Sequence, residues 1–464
     1  FDEEIKNELL SIKDNLKEIE DRFYKDLEFG TAGLRGIIGA GTNRINKYTV
    51  RWVSQGLANY ILRHGEAARK GIVIAYDSRK KSPEFASEAA LVFAANGIKT
   101  YLFDELRPTP ELSFAVRYLK AFAGVVITAS HNPKEYNGYK VYGQDGAQLS
   151  LEDSKAVLDE INKIDDFSSI KVISMEEALG KNLIQIIGKE IDDEYINRLK
   201  QLSSSFQSVE KIAPELRIVY TPLNGSGNKL VRRILQENGF CDVHVVPEQE
   251  NPDPEFSTLK TPNPEERDAY NLAIKLGEKI EADIIIATDP DCDRIGVMVS
   301  DNQKQYHMLN GNQTGCLLME YVLSSLNKNG NLPTNGFTVK TVVTTEMARA
   351  IADYYKVKLV EVLTGFKFIG EKIRLLDDYG DKKFLFGFEE SYGYLVGKYC
   401  RDKDGISASM MISEMAAYYK SQGLTLWDAL EAIYKKYVYA AGNTVSFTME
   451  GIEGMEKIKG IMHE

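Results

Sequence analysis

Three times along this chain, apolar runs alternate with amphipathic stretches, and the last run of each set ends in a polar segment rich in reactive side chains. The first set places strands at 71–76, 98–103 and 122–128 and helices at 83–96 and 111–119. The second places strands at 216–221, 242–246 and 283–288 and helices at 228–238 and 265–278. The third places strands at 337–344, 358–363 and 383–387 and helices at 347–355 and 366–376. Continuous apolar runs bounded by turn residues read as strands buried on both faces, as in parallel sheets covered by helices. Each set is a β-α-β-α-β unit, so the fold class is α/β, with three consecutive doubly wound domains of similar topology around a central cleft. The domains are expected at 1–200, 201–303 and 304–438, with linkers near 199–214 and 302–311. Ahead of them, a charged amphipathic helix is expected at 2–28 and another helix at 46–63. Between the two lies the glycine-rich stretch Phe29-Gly30-Thr31-Ala32-Gly33-Leu34-Arg35-Gly36, expected to be irregular.

Composition narrows the function. The chain carries 57 Lys+Arg against 68 Asp+Glu, a net charge of −11, which argues against a general nucleic-acid partner. Cys241, Cys292, Cys316 and Cys400 lie far apart with no C-x-x-C. That spacing argues against a disulfide framework or a zinc site and fits a reducing cytoplasm. The longest clean apolar stretch, 121–129, is far short of the about 20 residues a membrane span needs, so no membrane partner is expected. The first twenty residues lack the basic start and apolar run of a secretory signal. The sequence begins at Phe1 rather than Met, so an incomplete gene product is expected.

Open α/β sheets bind ligands beyond the carboxyl ends of their strands, and the three polar segments fall there. Asp289, Asp291 and Asp293 are spaced i, i+2, i+4; if extended, they share one face, with Pro290 and Cys292 on the other. Like charges 4 Å apart repel by about 4 kcal/mol at an effective dielectric of 20. A cation relieves this, and an all-oxygen set favours magnesium, calcium or manganese. The plainer reading is a solvated acidic turn, or Asp289 as a helix cap. On the same reasoning, Asp291→Asn should relieve repulsion and stabilise the metal-free chain. Ser130 and His131 sit at another strand end. Alone, Ser130 reads as a turn cap, and adjacent strand residues facing opposite ways place His131 poorly as its base. Beside a metal cluster, a phosphorylated Ser130 becomes a ligand source. Arg35, Lys140, Arg294, Arg401 and Lys403 lie near these segments; Arg grips phosphate by its planar fork, although each alone is more often a surface charge. Asn224-Gly225-Ser226-Gly227-Asn228 lacks the remaining residues of a nucleotide loop.

Taken together, these segments resemble the α-D-phosphohexomutase superfamily, most closely its bacterial phosphoglucomutase and phosphopentomutase-like group. The motifs occur in family order. Phe29–Gly36 is similar to the N-terminal glycine-arginine motif. Thr128–Pro133, continuing through Tyr136-Asn137-Gly138-Tyr139-Lys140, is similar to the phosphoserine loop. Asp289–Arg294 resembles the magnesium loop, with Cys292 where a small residue such as alanine is usual. Phe388–Ser391 resembles the sugar-binding loop, with Phe388 where glycine is common.

The resemblance implies a phosphosugar mutase interconverting glucose 1-phosphate and glucose 6-phosphate. It would work through phosphoserine at Ser130, with glucose 1,6-bisphosphate as intermediate and activator. It implies one Mg²⁺ held by Asp289, Asp291, Asp293 and an oxygen of phosphorylated Ser130. Arg35 and Lys140 would lie at the reacting phosphate, with Lys140 the acid/base and His131 second. Glu389, Ser391, Thr364 and Gly365 would meet the sugar, and Arg294, Arg401 and Lys403 the substrate's charge. Sugar phosphates are the implied partners. Phosphopentomutase or phosphomannomutase activity is the nearest alternative. An aspartyl-phosphate phosphatase using Asp289 and a catalytically weak sugar-phosphate binder are the more distant ones. The superfamily has a fourth, α+β domain with a phosphate loop R-x-S-G-T-E-P, which this sequence lacks. Residues 439–464 resemble only the start of that domain, its first strand and helix.

Overall fold

Each β-α-β-α-β unit forms its own sheet. The computed structural model of the chain describes residues 2–30, 33–204, 206–442, 449 and 451–463. The first sheet contains β1 (Leu34–Ile37), β2 (Ile72–Tyr76), β3 (Thr100–Phe103), β4 (Ala123–Ile127), β5 (Tyr136–Gly143) and β6 (Ile184–Ile187). The second contains β7 (Ile218–Thr221), β8 (Val243–Val245), β9 (Ile284–Thr288), β10 (Ile295–Ser300) and β11 (Tyr306–Leu309). The third contains β12 (Gly336–Thr341), β13 (Lys358–Val362), β14 (Lys383–Glu389) and β15 (Gly393–Val396). Their orders are β1-β5-β4-β2-β3-β6, β11-β10-β9-β7-β8 and β13-β12-β14-β15.

One pattern underlies all three. The first parallel strand of each unit is central, flanked by the second on one side and the third on the other. The third strand then runs into a loop and returns antiparallel beside itself, as β4–β5, β9–β10 and β14–β15. The sheets are therefore mixed, and the polar segments read from sequence are the turns of these three returns. A non-glycine residue with positive φ sits in each turn: Ser130 at 52°, Cys292 at 53° and Tyr392 at 61°.

Continuous apolar strands follow from burial on both faces. Val73 and Ile286 face a core shared by all three units, which also takes in Phe337, Ile369 and Phe386. Their neighbours Ile74 and Ile285 face separate outer cores. Burying each such side chain contributes about 1.5–3 kcal/mol. Helix Gly405–Lys420, buried along 405–417, lies in the shared core. Over that stretch it has no solvent face, and its few polar residues, Ser407, Ser409, Ser413 and Glu414, are buried with the apolar ones.

Several expectations change. The stretch 29–36 is not wholly irregular: Leu34–Ile37 forms β1, paired antiparallel with β5. Gly33 permits this, because a Cβ there would fall 2.1 Å from the Tyr139 carbonyl oxygen. The expected helix over 2–28 is two helices, Glu3–Ile12 and Leu16–Phe23; Asn15 interrupts them by capping the second. The linker placed at 302–311 contains β11, whose pairing of Ser300 with Tyr306 carries the second sheet past the boundary set at 303. Near the end, Gly451–His463 is helical; the strand expected just before it falls largely on 443–448, outside the described residues.

Candidate active site

The turns after β4 and β9 meet. Ser130 Oγ donates to Asp289 Oδ2 at 2.7 Å. Its backbone N–H donates to Thr128 Oγ1 at 2.8 Å, which bends the chain so that Ser130 Oγ lies 3.1 Å from His131 Nδ1. The strand argument that set Ser130 and His131 on opposite sides therefore fails, because Ser130 is left-handed rather than extended. Gly138 lets the return strand close on this turn: a Cβ there would fall 2.4 Å from the Thr128 carbonyl oxygen. Burial, then Arg294 and Arg35, pull the His131 imidazole down to about 3, so it is neutral near pH 7. Arg35 pairs with Gly138 across β1–β5 and donates to Asn132 Oδ1 at 3.0 Å.

The acidic turn is tight rather than extended. Asp289 Oδ1 accepts from the backbone N–H of Asp293 at 3.1 Å and of Arg294 at 3.0 Å. Its side chain thus caps the turn while Oδ2 faces Ser130. Ser226 supports the same turn: its Oγ donates to the Pro290 carbonyl at 2.9 Å and its N–H does so at 2.8 Å. The 224–228 loop is thus a brace for the acidic turn. One oxygen from each of Asp289, Asp291 and Asp293 lies within 4.8 Å of the others, and all three residues are buried.

Cations and a hydroxyl from other units answer this charge. Lys140 Nζ on β5 lies 2.7 Å from Asp291 Oδ2 and 3.2 Å from Asp293 Oδ2. Lys403 Nζ lies 3.1 Å from Asp293 Oδ2 and 3.8 Å from Glu389 Oε1. Thr109 donates to Asp291 through both Oγ1, at 2.7 Å, and its backbone N–H, at 2.9 Å. Burial alone would push Asp291 and Asp293 up; Lys140 on both, and Lys403 and Arg294 on Asp293, hold them below the usual range. Asp289 goes the other way, raised by burial and then by Asp291 and Asp293. Burial would lower the Lys140 and Lys403 ammonium groups, but the carboxylates facing them hold both above the usual lysine range. The pairing of Asp291 with Lys140 and Thr109 removes the premise of the expected stabilisation of Asp291→Asn, which took Asp291 as merely repelled.

The donor set fits a hard divalent cation. Asp291 Oδ1 and Asp293 Oδ1 are buried and find no hydrogen-bond partner, and buried carboxylate oxygens are rarely left so. With Asp289 and the Ser130 oxygen they form an all-oxygen group, suited to magnesium or calcium rather than zinc.

The third turn borders the cluster through Lys403. Asp404 accepts from Ile406 and Ser407 N–H at the start of helix Gly405–Lys420 and from Tyr195 Oη of the first unit at 2.6 Å. Lys403 is fixed just ahead of that cap. Glu389 is buried at the end of β14, and its carboxyl is raised by burial against the opposing pull of Lys403 and Arg294. Ser391 is half-buried in the turn. Thr364 is exposed, and Gly365 precedes helix Phe366–Ile373, whose Phe366 ring lies 6.0 Å from Lys403 Nζ. Arg294 adjoins the triad, with its guanidinium paired to Glu265. Arg401 is corrected. Its guanidinium is buried on Asp378 Oδ2 at 2.6 Å and on the Lys398 and Cys400 carbonyls at 2.6 and 2.9 Å, so it supports the fold and has no free fork for substrate. Sequence reasoning missed Thr109, Asp77 and Arg79; the last two follow β2, a strand end as open to inspection as the three that were read.

A fold of three repeated α/β units, with a seryl turn, an acidic turn and a buried lysine meeting at one centre, defines a phosphoryl-transfer class. The models for the phosphoglucomutase/phosphomannomutase alpha/beta/alpha domains I, II and III match residues 26–168, 193–302 and 310–437. The chain belongs to that family, within the α-D-phosphohexomutase superfamily. It is 40% identical over 443 residues to a protein of Staphylococcus haemolyticus named phosphoglucomutase, covering 96% of this chain and 78% of that one. A Staphylococcus aureus N315 phosphoglucomutase is likewise 40% identical over 448 residues, with 96% and 78% coverage. Among solved structures, the open form of Paramecium parafusin, a phosphoglucomutase, shares the fold at TM-score 0.68 and 18% identity, over 90% of this chain and 75% of that one. A phosphoglucomutase/phosphomannomutase family protein of Burkholderia thailandensis does so at TM-score 0.66 and 20% identity, over 85% and 79%. Among the described residues, no helix is long and apolar enough to cross a membrane.

Proposed function

We propose that the chain is a cytoplasmic phosphoglucomutase, interconverting α-glucose 1-phosphate and glucose 6-phosphate through glucose 1,6-bisphosphate. The observation that carries this reading is the 2.7 Å contact between Ser130 Oγ and Asp289, beside two buried carboxylate oxygens without partners. The glucose preference is supported by the relatives named phosphoglucomutase.

In the proposed reaction, a free sugar hydroxyl attacks the phosphorus of phosphorylated Ser130. The bond between phosphorus and Ser130 Oγ breaks, the attacking hydroxyl gives up its proton and Ser130 Oγ takes one up, so that no proton is gained or lost overall. The bisphosphate turns around, and Ser130 Oγ takes the other phosphate. Magnesium held by Asp289, Asp291, Asp293 and an oxygen of phosphorylated Ser130 would draw charge from the transferring group. Arg35 supplies a fixed guanidinium near the same group. Lys140, kept charged by Asp291 and Asp293, is suited to neutralise charge, and would act as the acid/base once a cation draws those carboxylates away from it. His131, neutral and 3.1 Å from Ser130 Oγ, orients that oxygen. Glu389 and Ser391 align sugar hydroxyls, Thr364 and Gly365 distinguish its faces, and Arg294 and Lys403 face the substrate's charge. An aspartyl-phosphate route is disfavoured, because Asp289 Oδ1 caps its own turn and Oδ2 holds Ser130.

The test is a coupled assay on glucose, mannose and ribose 1-phosphates with bisphosphate activator, together with intact-mass analysis. Turnover highest on glucose 1-phosphate, with one phosphate mapped to Ser130, is the expected result. Phosphate on Asp289 instead of Ser130 would reject the mechanism.

A further inference from the structure

Ser130 sits at φ 52°, a conformation that costs a non-glycine residue about 1–2 kcal/mol. Other groups must hold the turn there, and the principal one is Arg79. This arginine is 1% exposed and lies just beyond β2. One of its terminal nitrogens donates to the carbonyls of Ser130 and Asn132. The other donates to the carbonyls of Pro133, at 2.9 Å, and Tyr136, at 3.2 Å. A planar fork reaches four carbonyls at once; a lysine point charge does not. Asp77 backs the fork, with Oδ2 3.4 Å from Arg79 Nε. It also accepts from Thr128 Oγ1 at 2.6 Å, the same hydroxyl that takes the Ser130 N–H.

The other side of Arg79 is covered from the second unit. The ring of Phe256 lies 5.3 Å from the guanidinium carbon, and Phe256 is 2% exposed. Its segment is shaped by Asp253, which accepts from the N–H groups of Glu255 and Ser257. Beside it, Lys134 of the seryl turn pairs with Glu255 at 3.0 Å. An aromatic face over a buried guanidinium attracts it through the ring quadrupole.

We propose that Arg79 and Phe256 are positioning residues for Ser130. Arg79 fixes the backbone of 130–136, and Phe256 holds Arg79 in place, so Ser130 is aligned only while the first two units are docked. This rests on the carrier role of Ser130 proposed above, but the loop's geometry is measurable without any turnover.

Two variants of the full chain test it. Arg79→Lys keeps the charge and loses the fork; Phe256→Leu keeps apolar cover and loses the ring face. Hydrogen–deuterium exchange of the amides at 129–136 should quicken about tenfold or more in both, with the rest of the first sheet unchanged. On glucose 1-phosphate with glucose 1,6-bisphosphate, kcat should fall about 10²-fold in Arg79→Lys and about tenfold in Phe256→Leu, with KM nearly constant. Phe256→Tyr, which restores the ring, should recover both readouts. If Arg79→Lys does not fold, Phe256→Leu and its rescue carry the test. Unchanged exchange overturns the proposal, and so does faster exchange with wild-type kcat. A wild type without turnover, or Ser130→Ala with full turnover, would instead reject the carrier role, and exchange would still decide the clamp.

Discussion

The turns after β4 and β9 occupy the same place in two copies of one unit; both are braced through main-chain carbonyls, yet their side chains are treated differently. The acidic turn caps itself through Asp289 and is balanced through its side chains, by Lys140, Lys403 and Thr109 from other units. The seryl turn is held through its backbone, by Arg79 on four carbonyls, and the Ser130 hydroxyl, the proposed carrier, points outward to Asp289. A turn that must present charge needs its side chains neutralised until a cation arrives. A turn that must present a single oxygen needs its main chain immobilised, so that the hydroxyl alone meets the neighbouring turn. The two turns should therefore respond differently to substitution.

The largest effect is expected at Ser130. Ser130→Ala should remove more than about 10³-fold of kcat and abolish the phosphate increment in intact-mass analysis. Its turn should nevertheless persist, because the carbonyls and not the hydroxyl are clamped; amide exchange at 129–136 checks this. A collapsed turn in that variant would break the contrast.

Next comes Asp291→Asn. The variant should lose at least about 10²-fold in kcat. Its metal-free form should be less stable by about 1–3 kcal/mol in urea unfolding, since Lys140 and Thr109 lose a charged acceptor. A gain in stability would restore repulsion as the governing force.

Thr109→Val removes the hydroxyl and leaves the carboxylate. Calorimetry should show divalent-cation affinity reduced about tenfold, the usual scale for a group that orients a ligand. Unchanged affinity would mean that Lys140 and the backbone N–H of residue 109 suffice to fix Asp291.

Cys292→Ala should matter least. The thiol is buried where a Cβ on Gly227 would fall 2.6 Å from its sulfur, so about 1 kcal/mol of packing is at stake. Activity should stay within about threefold, as measured in the same coupled assay. A large loss would show that the sulfur shapes the acidic turn.

The parallel strands were legible because apolar runs buried on both faces leave a continuous signal, as at Ile284–Ala287. The returning strands were not. β5 spells Tyr-Asn-Gly-Tyr-Lys-Val-Tyr-Gly, and its polar residues hid a strand that is buried over most of its length. β10 and β15 follow short turns that read as the ends of their units. At the site, strand-end carboxylates and Ser130 could be read from residue type and place. Arg79, at the end of β2, stood at a readable place but its four carbonyl partners did not show, and Thr109 could not be read because its partner lies 182 residues along the chain. Arg401 was misjudged for the converse reason: a charge beside Lys403 in sequence is turned onto Asp378 in space.

The contact between Ser130 and Asp289 spans 159 residues of chain. At about 5–20 residues per second of synthesis, roughly 10–30 s separate the emergence of the two residues from the ribosome. The first unit has its own outer core and the clamp's arginine, yet it lacks the acidic turn throughout that interval and Phe256 for most of it. Lys403 follows only after a further stretch. A nascent chain therefore carries Ser130 for many seconds without the carboxylates beside which it is set. The proposed chemistry would thus wait on the order of translation until the later units fold against the first.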